Sequence, residues 1–301
     1  MEGDASPTKI VVAEPHGFCQ GVRRAVSLAD RALSARVPGA PPVYCLHELV
    51  HNRLVVDRLA ARGMAFVNDL SEVPDGACVF FSAHGVSPAV RSAAAARGLE
   101  VVDATCAFVA RVHELVRRFA AEGRTVVFIG RRGHDETVGI VGEAPASVKV
   151  VESVQEAASV EVPDPARVAV LTQTTLAVHQ AEPVLAALRR RFPSLVQPER
   201  SSICLATTER QEAVRRLACE TDLVLVLGSA SSANSHRLVD VARDAGARAE
   251  LLPDARAVSD FIAGGGLEGV RAVGVTAGAS TPEDVVDDAI SRLRGECPDG
   301  R

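Results

Sequence analysis

Three times over, this chain repeats one order: a β-branched run, a cysteine, a helical stretch, then three more short apolar runs, with polar residues ending the second and the last. Apolar runs that alternate with helical stretches predict α/β layers. Parallel strands need crossover connections, and helices supply them. In the first group the runs are Ile10-Val11-Val12-Ala13, 42–46, Ala65-Phe66-Val67 and 78–82; Cys19 follows the first, His51 the second and His84 the last. In the second group they are 100–103, 125–129, 148–151 and 168–171, with Cys106, His134 and Thr174 at the matching places. The third group has a poorer run at Leu195-Val196, then 223–227, 249–252 and 272–275, with Cys204, a polar loop holding Ser232 and Asn234, and finally Ser280. The domains expected from this grouping are 8–106, 107–203 and 204–294, with flexible tails at 1–7 and 295–301.

Ligands of open α/β sheets bind beyond the carboxyl ends of the strands. Three such domains facing one axis would bring Cys19, Cys106 and Cys204 together inside a ring of polar loops. Each of these cysteines precedes a helical stretch, and a helix N-terminus lowers a thiol pKa and favours the metal-binding thiolate. Singly, each would read as a small buried residue; at equivalent places in three repeats they read as ligands. Cys45 and Cys78 lie inside apolar runs, Cys219 in a helical stretch and Cys297 near the end, and these four are expected to be structural. Three thiolates fit zinc with an open position or an iron–sulfur cluster with one open iron, and the spacing does not choose between them.

Composition narrows the field. The 301 residues are 47% apolar, enough for a large core and more than one domain. A net charge of −5, no Trp and one Tyr argue against a nucleic-acid partner. No apolar run approaches the ~20 residues of a membrane helix, and residues 1–9 lack the apolar stretch of a secretory signal. A cytoplasmic, monomeric protein is expected, in which seven cysteines are not a disulfide framework. There is no G-x-x-x-x-G-K-[ST] loop, so an ATPase reading has no support.

His51, His84 and His134 fall at strand-to-helix junctions, and Ser231, Ser232, Asn234 and Ser235 crowd the matching loop of the third group. Hydroxyls, amides and protonated imidazoles beside helix N-termini form an anion-binding set, although Ser and Asn there also serve as caps. Glu136 stands two residues after His134. It is an ordinary first-turn residue on the surface, and the natural proton donor inside a closed pocket.

Several longer motifs resemble one family, the 4-hydroxy-3-methylbut-2-enyl diphosphate reductases, also called LytB. They are Pro15-His16-Gly17-Phe18-Cys19-Gln20-Gly21-Val22, His47-Glu48-Leu49-Val50-His51-Asn52, Ser82-Ala83-His84-Gly85-Val86-Ser87 and Asp103-Ala104-Thr105-Cys106. Thr172-Gln173-Thr174-Thr175, Ile203-Cys204-Leu205-Ala206-Thr207-Thr208 and Gly274-Val275-Thr276-Ala277-Gly278-Ala279-Ser280 complete the set, in order from about Ile10 to Leu293. The resemblance implies a three-domain trefoil around one 4Fe–4S cluster held by Cys19, Cys106 and Cys204, with an open iron for the substrate hydroxyl. It implies a diphosphate held by His51, His84, His134, Ser232, Asn234 and Ser280, protons relayed by Glu136 with Thr174 beside it, and electrons from a ferredoxin or flavodoxin. The chain departs from the family pattern at Asp135, where Pro is usual, and at Ala107, Val138, Glu209 and Ala233.

Overall fold

The computed structural model describes residues 9–37 and 39–295. Its first elements are β1 (Lys9–Val12), α1 (Gln20–Ser34), β2 (Val43–Leu46), α2 (Arg53–Ala61), β3 (Met64–Val67), β4 (Cys78–Phe81), α3 (Pro88–Ala96) and β5 (Glu100–Asp103). There follow α4 (Ala107–Ala121), β6 (Thr125–Ile129), α5 (Asp135–Glu143), β7 (Val148–Val151), α6 (Val154–Ser159), β8 (Val168–Thr172) and α7 (Val178–Arg191). The last are α8 (Leu205–Glu220), β9 (Leu223–Leu227), α9 (Ala233–Asp244), β10 (Arg248–Leu252), α10 (Ala255–Ala263), β11 (Ala272–Ala277) and α11 (Glu283–Leu293). The expected tails and Cys297 lie outside the described residues, except for Gly295, which follows α11. Among the described residues no helix is long and apolar enough to cross a membrane.

The chain divides into two compact units. One comprises the described parts of Met1–Cys19, His51–Val55 and Leu205–Arg301. Its parallel sheet has the order β1-β11-β9-β10. Leu223, Leu225, Leu227, Val273 and Val275 pack with Val258, Val286 and Ala289 into its core, and Ile10 of β1 packs against that cluster. Gly274 lets α8 lie close to β11, since a Cβ there would sit 2.6 Å from Cγ of Leu217.

The other unit comprises Gln20–Val50 and Val56–Cys204, and carries two parallel sheets. One has the order β3-β2-β4-β5 over a core that includes Leu46, Val67, Val79, Phe81 and Ala94. The other has the order β7-β6-β8, and is covered on one face by Val112, Val116, Phe119 and Ile140 and on the other by Val184, Leu188 and Phe192. Every residue of β6 and β8 is buried, which is why both read as unbroken apolar runs rather than alternating ones. The α/β class with three small parallel sheets, read from the sequence, is what the structure contains.

One expectation is corrected. The strand before each cysteine does not open a new sheet; it closes the edge of another. β5 pairs with β4, Val196 bridges to Ala169 of β8, and β1 pairs with β11 in register Lys9↔Ala272 to Val12↔Val275. The strand of residues 9–12 therefore belongs with β9–β11 and not with the sheet of β2–β5. A short apolar run identifies a strand but not its partner, because any open edge satisfies the same backbone donors and acceptors. With that exchange, all three sheets have one order.

Candidate functional site

Each of the three cysteines stands immediately before a long helix: Cys19 before α1, Cys106 before α4 and Cys204 before α8. All three are half-buried. Their backbone N–H groups are held alike. Cys19 N–H donates to the Ala279 carbonyl (3.0 Å), Cys106 N–H to Ala83 (3.1 Å) and Cys204 N–H to Thr174 (2.9 Å). Each acceptor lies two residues past the end of a strand, β11, β4 and β8 in turn. The pairings that close each sheet edge thus deliver a cysteine to the loop carrying Ser280, His84 or Thr174. Cys45 and Cys78 lie in strands and Cys219 in α8, as expected. Burial pushes the Cys45 thiol far up and the Cys78 thiol up less, which keeps both protonated.

In the larger unit the structure brings Glu136 and Thr174 together. Glu136, in the first turn of α5, is 1% exposed. Thr174 N–H donates to its Oε1 and the Thr174 hydroxyl to its Oε2, both at 2.8 Å. These bonds favour the carboxylate, but burial outweighs them and the Glu136 pKa is pushed up to about 7. Between the ordinary carboxyl value and about 7 the folded protein holds a proton that the unfolded chain has released. Stability contributed by this group is therefore fully present below the unfolded value and lost as pH rises through about 7. The gain in thermal stability from Glu136→Gln over the parent protein should then be greater at about pH 8 than at about pH 5, by up to about 3 kcal/mol. Melting both proteins at the two pH values checks this, and a constant gap would mean that Glu136 does not hold its proton.

His134 is the N-cap of α5, and its Nδ1 accepts the Glu136 N–H at 3.2 Å. A bare Nδ1 fixes the neutral tautomer with hydrogen on Nε2. His84 lies edge-on to His134 with ring centroids 5.8 Å apart. Its Nδ1 is 3.3 Å from the Ser82 hydroxyl and 3.8 Å from the Asp135 carboxylate. Asp135, one of the departures from the family pattern, thus meets His84 within the same unit.

In the smaller unit Ser232 caps α9, its hydroxyl accepting the Ser235 N–H at 3.2 Å. Asn234 is buried, and neither its amide oxygen nor its nitrogen has a hydrogen-bond partner among the described residues. A buried amide left so is costly unless a ligand completes it. The Ser280 hydroxyl donates to the His51 carbonyl at 3.0 Å, joining two of the expected residues. The Ser235 side chain lies close against both loops: a Cβ on Gly228 or on Gly278 would fall 2.2 or 2.1 Å from its hydroxyl. Thus Cys19, His51, Ser232, Asn234 and Ser280 belong to one unit, and Cys106, Cys204, His84, His134, Glu136 and Thr174 to the other.

Two supporting residues carry no role in the sequence reading although they lie within or beside quoted motifs. Gln173 is buried, accepts the Arg131 N–H at 3.0 Å and so steadies the loop leading to His134. Arg210 is 3% exposed and donates to the Gly17 carbonyl at 2.8 Å, two residues before Cys19. A long polar residue inside a buried helical face is the signal for such a bond.

Residues 10–294 match the model of the family described as LytB protein. A relative from Bordetella pertussis named 4-hydroxy-3-methylbut-2-enyl diphosphate reductase is 47% identical over 97% of this chain and 88% of its own length. Among solved structures, the E-1-hydroxy-2-methyl-but-2-enyl-4-diphosphate reductase of Plasmodium falciparum superposes with a TM-score of 0.89 at 33% identity, covering 95% of this chain and 88% of that one. A second solved relative, an (E)-4-hydroxy-3-methyl-but-2-enyl diphosphate reductase described as the terminal enzyme of the non-mevalonate pathway, superposes with a TM-score of 0.66 at 32% identity. That match covers 96% of this chain and 99% of the other.

Proposed function

The chain belongs to the LytB family, and we propose that it holds a 4Fe–4S cluster on Cys19, Cys106 and Cys204 and reduces 4-hydroxy-3-methylbut-2-enyl diphosphate to isopentenyl and dimethylallyl diphosphate. This reaction is the terminal step of the non-mevalonate pathway. The observation that carries the cluster assignment is the thrice-repeated hydrogen bond from a cysteine N–H to the loop of a sheet's last full strand. The donor set fits the group: three half-buried thiols, each directly before a helix of 15 or 16 residues, and thiol sulfur is the ligand such clusters take.

When bound, such a cluster supplies electrons one at a time and a Lewis acid that eases departure of hydroxide. The protein's own residues do the rest. Two electrons and two protons enter; the allylic C–O bond breaks, oxygen leaves as water, and a C–H bond forms. Glu136, with a pKa near 7, stays partly protonated at neutral pH where an ordinary carboxyl would not, and can give that proton to the departing oxygen. Thr174 holds that carboxyl at both oxygens and passes the next proton inward. His51, His84, His134, Ser232, Asn234 and Ser280 grip the diphosphate, which fixes the distance of the reacting carbon. A ferredoxin or flavodoxin supplies the electrons, and the enzyme works as a cytoplasmic monomer.

Anaerobic reconstitution with iron and sulfide, followed by turnover with the diphosphate and a chemical reductant, tests the assignment. Formation of both products is expected; a reconstituted cluster without turnover would favour a sensor that has lost catalysis. The diphosphate grip is tested by a substrate analogue without it. Each charge-assisted hydrogen bond removed should cost about 1.5–3 kcal/mol of binding. Equal affinity of the parent compound and the analogue in calorimetry would remove these residues from the site.

A further inference from the structure

The larger unit buries a hydrogen-bonded imidazole–carboxylate pair that none of the steps above uses. His113 lies in α4, two turns after Cys106, and Glu143 ends α5. Their side chains are 5% and 2% exposed. His113 Nδ1–H donates to Glu143 Oε1 at 2.7 Å, and Arg117, one turn further along α4, places Nη1 2.9 Å from Glu143 Oε2. Both carboxylate oxygens are thus held from one helix. The other edge of the imidazole faces a different element. Gly85, at φ +79°, follows His84 directly, and a Cβ there would sit 2.8 Å from His113 Nε2. Gly139 of α5 is nearly as close: its Cβ would lie 3.2 Å from His113 Cε1 and 3.4 Å from the Gly85 carbonyl oxygen. Burial lowers the His113 pKa, against the pull of Glu143. A neutral ring with its hydrogen on Nδ1 leaves Nε2 bare, and among the described residues Nε2 has no hydrogen-bond partner.

Three elements therefore meet on one imidazole: α4, which begins after Cys106; α5, which begins with His134 and Glu136; and the loop of His84. A buried carboxylate held by a neutral imidazole is a poor source of stability compared with apolar residues of the same volume. What it supplies is a fixed separation and rotation of the parts it joins. We propose that His113, held by Glu143, is a positioning residue that sets the His84 loop and the first turn of α5 for diphosphate binding. This rests on the functional reading above and adds a residue pair to it.

The test uses anaerobically reconstituted protein, with inorganic diphosphate as the calorimetric probe and the full substrate for kinetics. His113→Phe keeps a ring of similar size but cannot donate to Glu143. Diphosphate affinity should fall about tenfold or more and KM rise in step, with iron content unchanged and kcat affected less. Glu143→Gln keeps an acceptor for Nδ1–H and should stay within about threefold of the parent protein. If His113→Phe does not fold, Glu143→Leu breaks the same bond from the other side and is read in its place. A merely structural pair would lower the melting temperature and leave diphosphate affinity and KM unchanged, and that result would overturn the proposal. Should the parent protein itself fail to bind diphosphate, the functional reading falls and the proposal with it; normal parent binding with normal binding in the variant sinks the proposal alone.

Discussion

Serine in place of Cys19, Cys106 or Cys204 is expected to strip the protein of its iron and to abolish turnover, each substitution on its own. A hydroxyl is far harder to ionise than a thiol and is a poor ligand for iron that thiolates hold. The backbone bonds from these three positions to Ala279, Ala83 and Thr174 do not involve the side chain, so the fold should survive the exchange. The contrast comes from Cys45→Ala, Cys78→Ser and Cys219→Ser, which should keep a full complement of iron. Cys45 is fully buried in β2 with its thiol held protonated, Cys78 lies in β4 and Cys219 is exposed on α8. Iron and sulfide per chain, measured after anaerobic purification, decide the matter. Full iron in any of the first three variants would remove that cysteine from the ligand set.

Glu136→Gln should lower turnover by about 10²–10⁴, the usual worth of a positioned general acid. Glutamine keeps the size of the side chain and an oxygen for the Thr174 N–H, but it has no carboxylic proton to give. Iron content and diphosphate affinity should stay close to those of the parent protein, because in the proposed role the group acts on the reacting oxygen rather than on the anion. The pH profile adds a second reading. With a Glu136 pKa near 7, the parent's proton-donating fraction falls as pH rises through neutrality, and kcat should fall with it, while the residual rate of the variant should not follow that curve. Turnover near that of the parent would point to water or the substrate's own diphosphate as the proton source.

Much of this was legible in the residues, and the rest was hidden for physical reasons. Runs such as 126–129 and 223–227 became strands because four or five consecutive apolar residues can be buried on both faces of a parallel sheet. The cysteines at helix starts were visible because the helical pattern begins directly after them. The short helices α6 and α10 were not, since six or nine residues give periodicity too little length to show. Which sheet receives β1 could not be read, because the choice depends on an open edge far along the chain. The pair His113 and Glu143 was hidden for the same reason: each looks like a solvated helix residue until α4 and α5 are packed together. Asp135 was noticed only as a departure from the family pattern, and its meeting with His84 needed coordinates.

The exchange of edge strands also dictates an order of assembly on the ribosome. The two sheets of the larger unit use strands between Val43 and Val196 and can close once that stretch has emerged. The third cannot, because Lys9–Val12 must wait for Ala272–Ala277. At roughly 5–20 residues per second that wait is on the order of tens of seconds. Throughout it Ile10-Val11-Val12 is an apolar strand with no neighbour, the kind of segment that pairs with other nascent chains. Cys19 waits as well, since its N–H acceptor, Ala279, is made near the end of synthesis. The loop of Cys106 and that of Cys204 are complete far earlier, so the cysteine encoded first is the last to be fixed in place.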